Sequence, residues 1–414
     1  MTKPLPYDLI ILGATGFVGG IVCRYLLSHW ETAAGKNWAI AGRSQAKLDH
    51  LVQSLGSQAA PLSTFVVDVK DEAAVTALCS QTKVVVSTVG PYALYGETLV
   101  RVCATTGTDY CDLTGEVQWV QQMIQKYGAI AQQSGARIVH CCGFDSIPSD
   151  LGVYYLQQQS QRRWGEPCIR VKMRVKTGQG GISGGTIASG INLIQEAIAD
   201  PSTRQALSNP YILCFKPNHR SDHPPSLIPV QNDPIFSEWI APFVMAGINT
   251  PIVLRSNVLQ NQAYGGEFQY EEGILTGSGT IGWLAAQGIK WSLDLMALAL
   301  AIGPSRWLLL QILPKPGEGP TEEAQQQGFY DLRFWGQTAS GHSTMVKVTG
   351  DQDPGYGSTA KILAQAALCL AKDKPKSSLQ GGFWTPAASF GQDLIQRLID
   401  YAGLTFTEGN GSTL

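Results

Sequence analysis

With 414 residues, 44% of them hydrophobic, the chain is long enough to bury the cores of two domains. A formal net charge of −2, with charged residues at 15%, gives no electrostatic basis for binding nucleic acid, so any phosphate binding must be local. Nine cysteines form no C-x-x-C pair and no secretory leader precedes the first apolar run, which predicts a reducing, cytoplasmic setting and thiols that serve as small buried apolar groups.

The N-terminal third alternates strand and helix. Tyr7 to Leu12 is a run of strand formers, followed by the turn Gly13-Ala14-Thr15-Gly16-Phe17-Val18-Gly19 and a helical pattern from Val18 to Leu27. A G-x-x-G-x-x-G turn between strand and helix suits a dinucleotide. Gly13 makes the tight turn, Gly16 lets backbone approach a pyrophosphate, Gly19 permits close helix packing, and the helix N–H groups point at the phosphates. Gly13, Thr15, Gly16, Phe17, Val18 and Gly19 are therefore candidate cofactor contacts. The bland alternative is a glycine turn that binds nothing.

The second strand, Trp38 to Arg43, ends without the acidic residue that would accept the ribose hydroxyls of NAD. It offers Arg43 and Ser44 instead, a cation and a hydroxyl suited to a 2′-phosphate, so NADP is expected and NAD is the alternative. Further strands are predicted at Thr64 to Asp68, Val84 to Val89, Asp109 to Leu113 and Ala136 to Cys142, with helices between them. Asp68 falls where adenine would lie, or else caps the next helix. Six strands alternating with helices imply a doubly wound parallel sheet, whose ligands bind at the carboxyl ends of the strands.

At that edge the fourth strand runs into Val89-Gly90-Pro91-Tyr92, the fifth into Asp112-Leu113-Thr114-Gly115-Glu116, and the sixth into Gly143-Phe144-Asp145. Val89, Gly90 and Pro91 are placed beside the nicotinamide half of the cofactor. Tyr92, Tyr95 and Asp145 are candidate proton donors, with packing and helix capping as the ordinary roles of such residues. Asp112, Glu116 and Asp150 are further carboxylates expected near the crevice. His219 and His223 lie four apart in a Pro- and Asn-rich stretch with no third ligand nearby, so no metal site is expected.

Beyond Gly143 the pattern changes. A strand is predicted over Cys168 to Lys176, a helix over Ile187 to Ala199, a long connection over residues 200–235, β structure over 266–276 and a hairpin over 329–349, together an α+β domain. Residues 281–313 are strongly apolar yet interrupted by Asp294, Pro304 and Arg306. That argues against a bilayer span and leaves an interfacial segment, a cover over a hydrophobic substrate, or a buried core or dimer helix. Two closing helices, Ser358 to Ala371 and Asp393 to Ala402, are expected to pack back on the first domain. The domains are thus predicted as 1–142, 143–350 and 351–414.

The series GATGFVG, AGR, TVGPYALYGE, CDLTGE and GFDSIPSDLG, followed by GPTEEAQQQGFY, DPGY and GGFWTPAASFG, resembles the saccharopine dehydrogenase-like oxidoreductases, a family that includes the trans-acting enoyl reductases. The resemblance covers nearly the whole chain. It implies an N-terminal Rossmann domain for NADP, an α+β second domain, C-terminal helices completing the first, and lipid-like intermediates as substrates. The leading expectation is NADP-dependent hydride transfer to or from a hydrophobic, lipid-linked carbonyl or enoyl group. One alternative is a redox-neutral NAD(P)-dependent epimerase of a glycolipid sugar, and the other is a non-catalytic nucleotide-binding protein of a lipid surface. A peripheral membrane contact through 281–313 and a homodimer complete the expected partners.

Overall fold

The structure is a computed structural model that describes residues 5–29, 37–181, 184–215, 227–312 and 318–409. His219 and His223 lie outside the described residues. Two compact units are present, one from the residues up to Ile147 with Gly355–Gly403, the other from most of the intervening chain with the residues from Leu404 onward.

The first unit begins with β1 (Tyr7–Leu12), α1 (Phe17–Ser28), β2 (Trp38–Gly42), α2 (Gln45–Ser54), β3 (Ser63–Val66), α3 (Glu72–Cys79) and β4 (Thr82–Ser87). It continues through α4 (Tyr92–Tyr95), α5 (Glu97–Thr106), β5 (Asp109–Asp112), α6 (Val117–Ser134) and β6 (Arg137–Val139). Leu9 to Leu12 and Val84 to Val86 are almost wholly buried, as strands covered by helices on both faces must be.

The second unit opens with α7 (Ile147–Trp164) and the long β7 (Cys168–Gln179), then α8 (Gly184–Ala199), α9 (Pro201–Leu207), β8 (Gln231–Asp233) and β9 (Glu238–Pro242). There follow α10 (Ala246–Leu259), β10 (Gln269–Leu275), α11 (Gly279–Ala301), α12 (Gly303–Ile312), α13 (Glu322–Gln327), β11 (Phe329–Thr338) and β12 (Ser343–Gly350). The chain then re-enters the first unit as α14 (Thr359–Leu368), β13 (Gly382–Trp384), α15 (Pro386–Ser389) and α16 (Gln392–Tyr401), and ends in the second as β14 (Leu404–Gly409).

The first sheet has seven parallel strands in the order β13-β6-β5-β4-β1-β2-β3. The order reverses between β1 and β4, the switch point at which a doubly wound sheet receives a nucleotide. Six of these strands are those read from the sequence; the seventh, β13, was not, because three residues carry no usable periodicity. It extends the sheet beside β6, with Phe383 opposite Ile138. α14 and α16, the two expected closing helices, belong to this unit. They are tied to it by Gln365, which donates to the Tyr25 hydroxyl at 2.7 Å, and by that hydroxyl, which donates to the Tyr401 carbonyl at 2.9 Å.

The second sheet is mixed, in the order β14-β12-β11-β7-β10-β9-β8, and only the β7–β10 pairing is parallel. The β11–β12 hairpin lies where alternation predicted it. β14, β9 and α10 were missed, and α9 and β8 fall within the stretch read as one long connection. In α10 an internal proline and buried Asn249, Thr250 and Ser256 hide the helical signal. Among the described residues no single helix is long and apolar enough to cross a membrane, and α11 and α12 meet at 110°.

Candidate functional site

The turn after β1 is held from both neighbouring strands. Gly13 and Ala14 donate to the carbonyl of Ala41 at the end of β2, and the Thr88 hydroxyl after β4 donates to the Gly13 carbonyl at 3.0 Å. Gly13 has φ +93°, and a Cβ there would lie 2.7 Å from Thr88 Oγ1. At Gly19 the constraint is steric: a Cβ would fall 2.2 Å from the Gly13 carbonyl oxygen. The first turn of α1 therefore presses directly on the loop that precedes it.

Gly16 is the N-cap of α1, and it supplies no side-chain cap; the first turn carries no acidic residue either. By contrast Ser44 caps α2 and Asp71 caps α3. The leading N–H groups of α1 are thus left to an external acceptor with the positive end of the helix dipole behind them, which suits a pyrophosphate. Phe17 is braced edge-on by Tyr356, with ring centroids 5.3 Å apart, which explains the contribution of the late DPGY motif to the turn.

At the end of β2, Arg43 is exposed and no carboxylate pairs with it among the described residues. Ser44 accepts from Lys47 N at 3.4 Å as the α2 cap, which leaves its O–H to donate elsewhere. Thr15 lies over the end of the same strand, its hydroxyl 3.4 Å from where a Cβ of Gly42 would be. The exposed Asp68 accepts from Lys70 N at 3.0 Å and so shapes a turn; the cap of the next helix is Asp71.

Of the residues after β4, the side chain of Val89 lies next to the turn, its Cγ2 2.9 Å from where a Gly13 Cβ would be, and Gly90 precedes Pro91 at the N-terminus of α4. Tyr92 is the most deeply buried of the three candidate proton donors. It is buried, its hydroxyl donates to the Ser87 carbonyl at 2.9 Å, and burial beside Asp112 pushes its pKa well above that of a free phenol. Its ring rests on Trp119. Tyr95 is half-buried, with Lys70 Nζ 5.8 Å from its ring centroid.

The remaining carboxylates separate into distinct roles. Glu116 caps α4, accepting from Tyr92 N at 2.9 Å and Ala93 N at 2.8 Å. Asp112 is a buried hub that accepts from Tyr110 and from the backbone N–H groups of Thr114 and Cys141, and meets His140 Nδ1 at 2.6 Å. His140 in turn packs against Trp119 and Phe383, which gives the GGFWTP motif its place in the core. Asp150 is wholly buried in the second unit. Asp145 alone of the edge carboxylates is half-buried with no hydrogen bond to its side chain among the described residues. Burial pushes its pKa up to about 6.

Among the described residues no group of His, Cys, Asp and Glu is arranged to hold a metal. All nine cysteines are buried thiols.

The model of the saccharopine dehydrogenase NADP binding domain matches residues 9–139. A Mycobacterium tuberculosis relative is 36% identical over 408 residues, covering 95% of this chain and 96% of its own length. The trans-acting enoyl reductases of Mycobacterium bovis and Mycobacterium leprae are 35% and 34% identical, and in each case 95% of both chains is covered. In fold, the chain is similar to the apo saccharopine dehydrogenase (L-Glu forming) of Saccharomyces cerevisiae, with a TM-score of 0.54 and 12% identity over 98% of this chain and 100% of that one. The chain belongs to the saccharopine dehydrogenase-like oxidoreductases, the family of the trans-acting enoyl reductases, and is an NADP-dependent oxidoreductase.

Proposed function

We propose that the protein uses NADPH to reduce a hydrophobic, lipid-linked enoyl or carbonyl group, taking its substrate at a membrane surface that it contacts peripherally through residues 281–313. The observation that carries the cofactor half is the uncapped N-terminus of α1 beside an exposed Arg43 that pairs with no carboxylate among the described residues. In this reading Gly13, Thr15, Gly16, Phe17, Val18 and Gly19 hold the pyrophosphate, Arg43 and Ser44 the 2′-phosphate, and Asp68 the adenosine side. Val89, Gly90 and Pro91 flank the nicotinamide. The nicotinamide supplies the hydride when bound.

What the protein must add is a proton. Asp145 is suited to this, because a carboxyl with a pKa near 6 retains a protonated fraction at neutral pH and regains its proton readily. Tyr95 is the second candidate. An apolar substrate is favoured by the second unit, whose buried arginines are already engaged. Arg174 pairs with Asp233 at 2.7 Å and Glu271 at 2.5 Å, and Arg255 donates to the Leu213 carbonyl at 2.6 Å. The enoyl reductase relatives point the same way.

Titration with NADPH and NADH, read by nicotinamide fluorescence, tests the cofactor assignment. NADPH should bind more tightly than NADH, and Arg43→Ala should weaken NADPH by about 1 to 3 kcal/mol, the loss of a charge-assisted contact, while leaving NADH unchanged. Equal loss for both nucleotides would remove Arg43 from the 2′-phosphate.

A further inference from the structure

Twenty large hydrophobic side chains are exposed on the described chain, and ten of them lie in α11, α12 and the residue that joins them: Ile281, Trp283, Leu284, Trp291, Leu295, Met296, Leu298, Ile302, Trp307 and Leu308. Ile281 is 82% exposed, and Trp291 and Trp307 are each 65% exposed. Only Gly282 and Ala286 are buried in α11, and both lie in its first third. An apolar helix normally buries its apolar face in a core or in lipid.

The angular distribution distinguishes the occupants. At 100° per residue, the seven exposed apolar side chains of α11 cover an arc of roughly 220°, while Gly282 and Ala286 fall in the remaining gap. A second copy of the chain would meet a stripe of roughly 100°. The ten side chains together expose on the order of 1,000 Å², above the ~800 Å² that each partner of a standard interface contributes. Spread over such an arc, about half of that surface would stay in water in a dimer. A fluid apolar phase covers it all.

Charge and length fix the orientation. Within Gly279–Ile312 the only charges are Lys290, Asp294 and Arg306. Lys290 and Asp294 pair at 2.6 Å on one edge of the arc, and Arg306 beside Trp307 leaves the hairpin with a net positive charge. A cation and tryptophans at the border of an apolar face suit anionic headgroups. The part of α11 beyond Ala286 runs for 15 residues and α12 for 10, each short of the roughly 20 that a span requires, and the 110° bend prevents them from acting as one rod.

We propose that the α11–α12 hairpin inserts into a single leaflet of an anionic lipid bilayer and lies in its plane, with Trp291 and Trp307 as anchors and the Lys290–Asp294 pair at the headgroup level. The proposal deepens the peripheral membrane contact proposed above, giving its lipid class, depth and anchoring residues, and rests on the lipid-linked substrate only for the reason such an anchor would exist.

Flotation of the full chain with phosphatidylglycerol vesicles tests it, alongside the variant Trp291→Glu/Leu295→Glu/Trp307→Glu. The native chain should float, with tryptophan emission shifted to the blue and quenched by lipids brominated in the acyl chain. The variant should lose flotation at least tenfold while keeping its thermal melt and its NADPH affinity. Native protein that stays in the aqueous fraction with unquenched tryptophan overturns the proposal, and that readout needs no variant. A native dimer that the variant converts to monomer, with no vesicle binding by either, assigns the face to a second copy instead. Neither flotation nor quenching depends on turnover, so a failed reductase assay and a failed anchor are told apart.

Discussion

Asp145 and Glu272 are carboxyls of opposite use. Asp145 lies at the edge of the nucleotide-binding sheet with no hydrogen bond to its side chain among the described residues, and burial raises its pKa to about 6. If it donates the proton, kcat/KM for reduction should fall as pH rises through about 6, and Asp145→Asn should lower the rate on the order of 10²-fold and flatten that limb while NADPH affinity stays constant. An unchanged profile in the variant would return the role to Tyr95 or to water. Glu272 is buried inside the second unit, where Tyr270 donates to it at 2.5 Å and Asn249 at 3.0 Å, with Ser149 and Arg174 around it. Desolvation pushes it up to about 7 from an ordinary 4.5. Between those values the folded state holds a proton that the unfolded chain has released, so its contribution is greatest at low pH and is lost as pH rises towards 7. Glu272→Gln should therefore abolish up to about 3 kcal/mol of pH-dependent stability between pH 5 and 8 in urea melts. A slope equal to that of the native protein would contradict the assignment.

Two elements carry the architecture of the nucleotide site. In α1, a Cβ on Gly19 would meet backbone at 2.2 Å, which no rotamer change can relieve. Gly19→Ala should therefore cost about 1 to 3 kcal/mol of stability by overpacking and weaken NADPH at the same time. The edge pair β6–β13 depends on Arg137, buried and bound to Asp109 at 2.5 Å while donating to the carbonyls of Leu370 and Lys374. Lys376 reaches the same Asp109 at 2.9 Å. Asp109→Ala leaves Arg137 buried without its counter-charge, so a loss of about 3 to 5 kcal/mol is expected in denaturant melts. A loss under 1 kcal/mol would mean that the C-terminal segment is held by apolar packing alone.

Across the whole molecule, legibility follows periodicity. The first six strands and their helices could be read because buried parallel strands are continuous apolar runs bounded by turns, and the glycine turn stood at the first of those junctions. The edge strand β13 is too short to show a pattern. Its value comes from Phe383 meeting His140 across more than two hundred residues, a contact that no local signal announces. Tyr92 is a similar case: its hydroxyl donates to the Ser87 carbonyl, a contact that its place after a strand end does not announce. For α11, hydropathy marked the segment but left core, interface and lipid open, and the lack of any buried residue of α11 beyond Ala286 removes the core reading.

Net reduction of a lipid-linked substrate by NADPH is the activity proposed for the whole molecule. The most direct test incubates the protein with NADPH deuterated at the transferable position of the nicotinamide and a lipid-linked enoyl or keto substrate presented in anionic vesicles. Mass spectrometry of the lipid and the absorbance of the nucleotide are followed together. The account predicts one deuterium per product molecule and one NADPH oxidised for each. A rearranged product with no net NADPH oxidation, on nucleotide that copurifies and does not exchange, would contradict it in favour of a redox-neutral epimerase. Bound NADPH that stays unoxidised with every substrate offered would contradict it in favour of a non-catalytic nucleotide-binding protein.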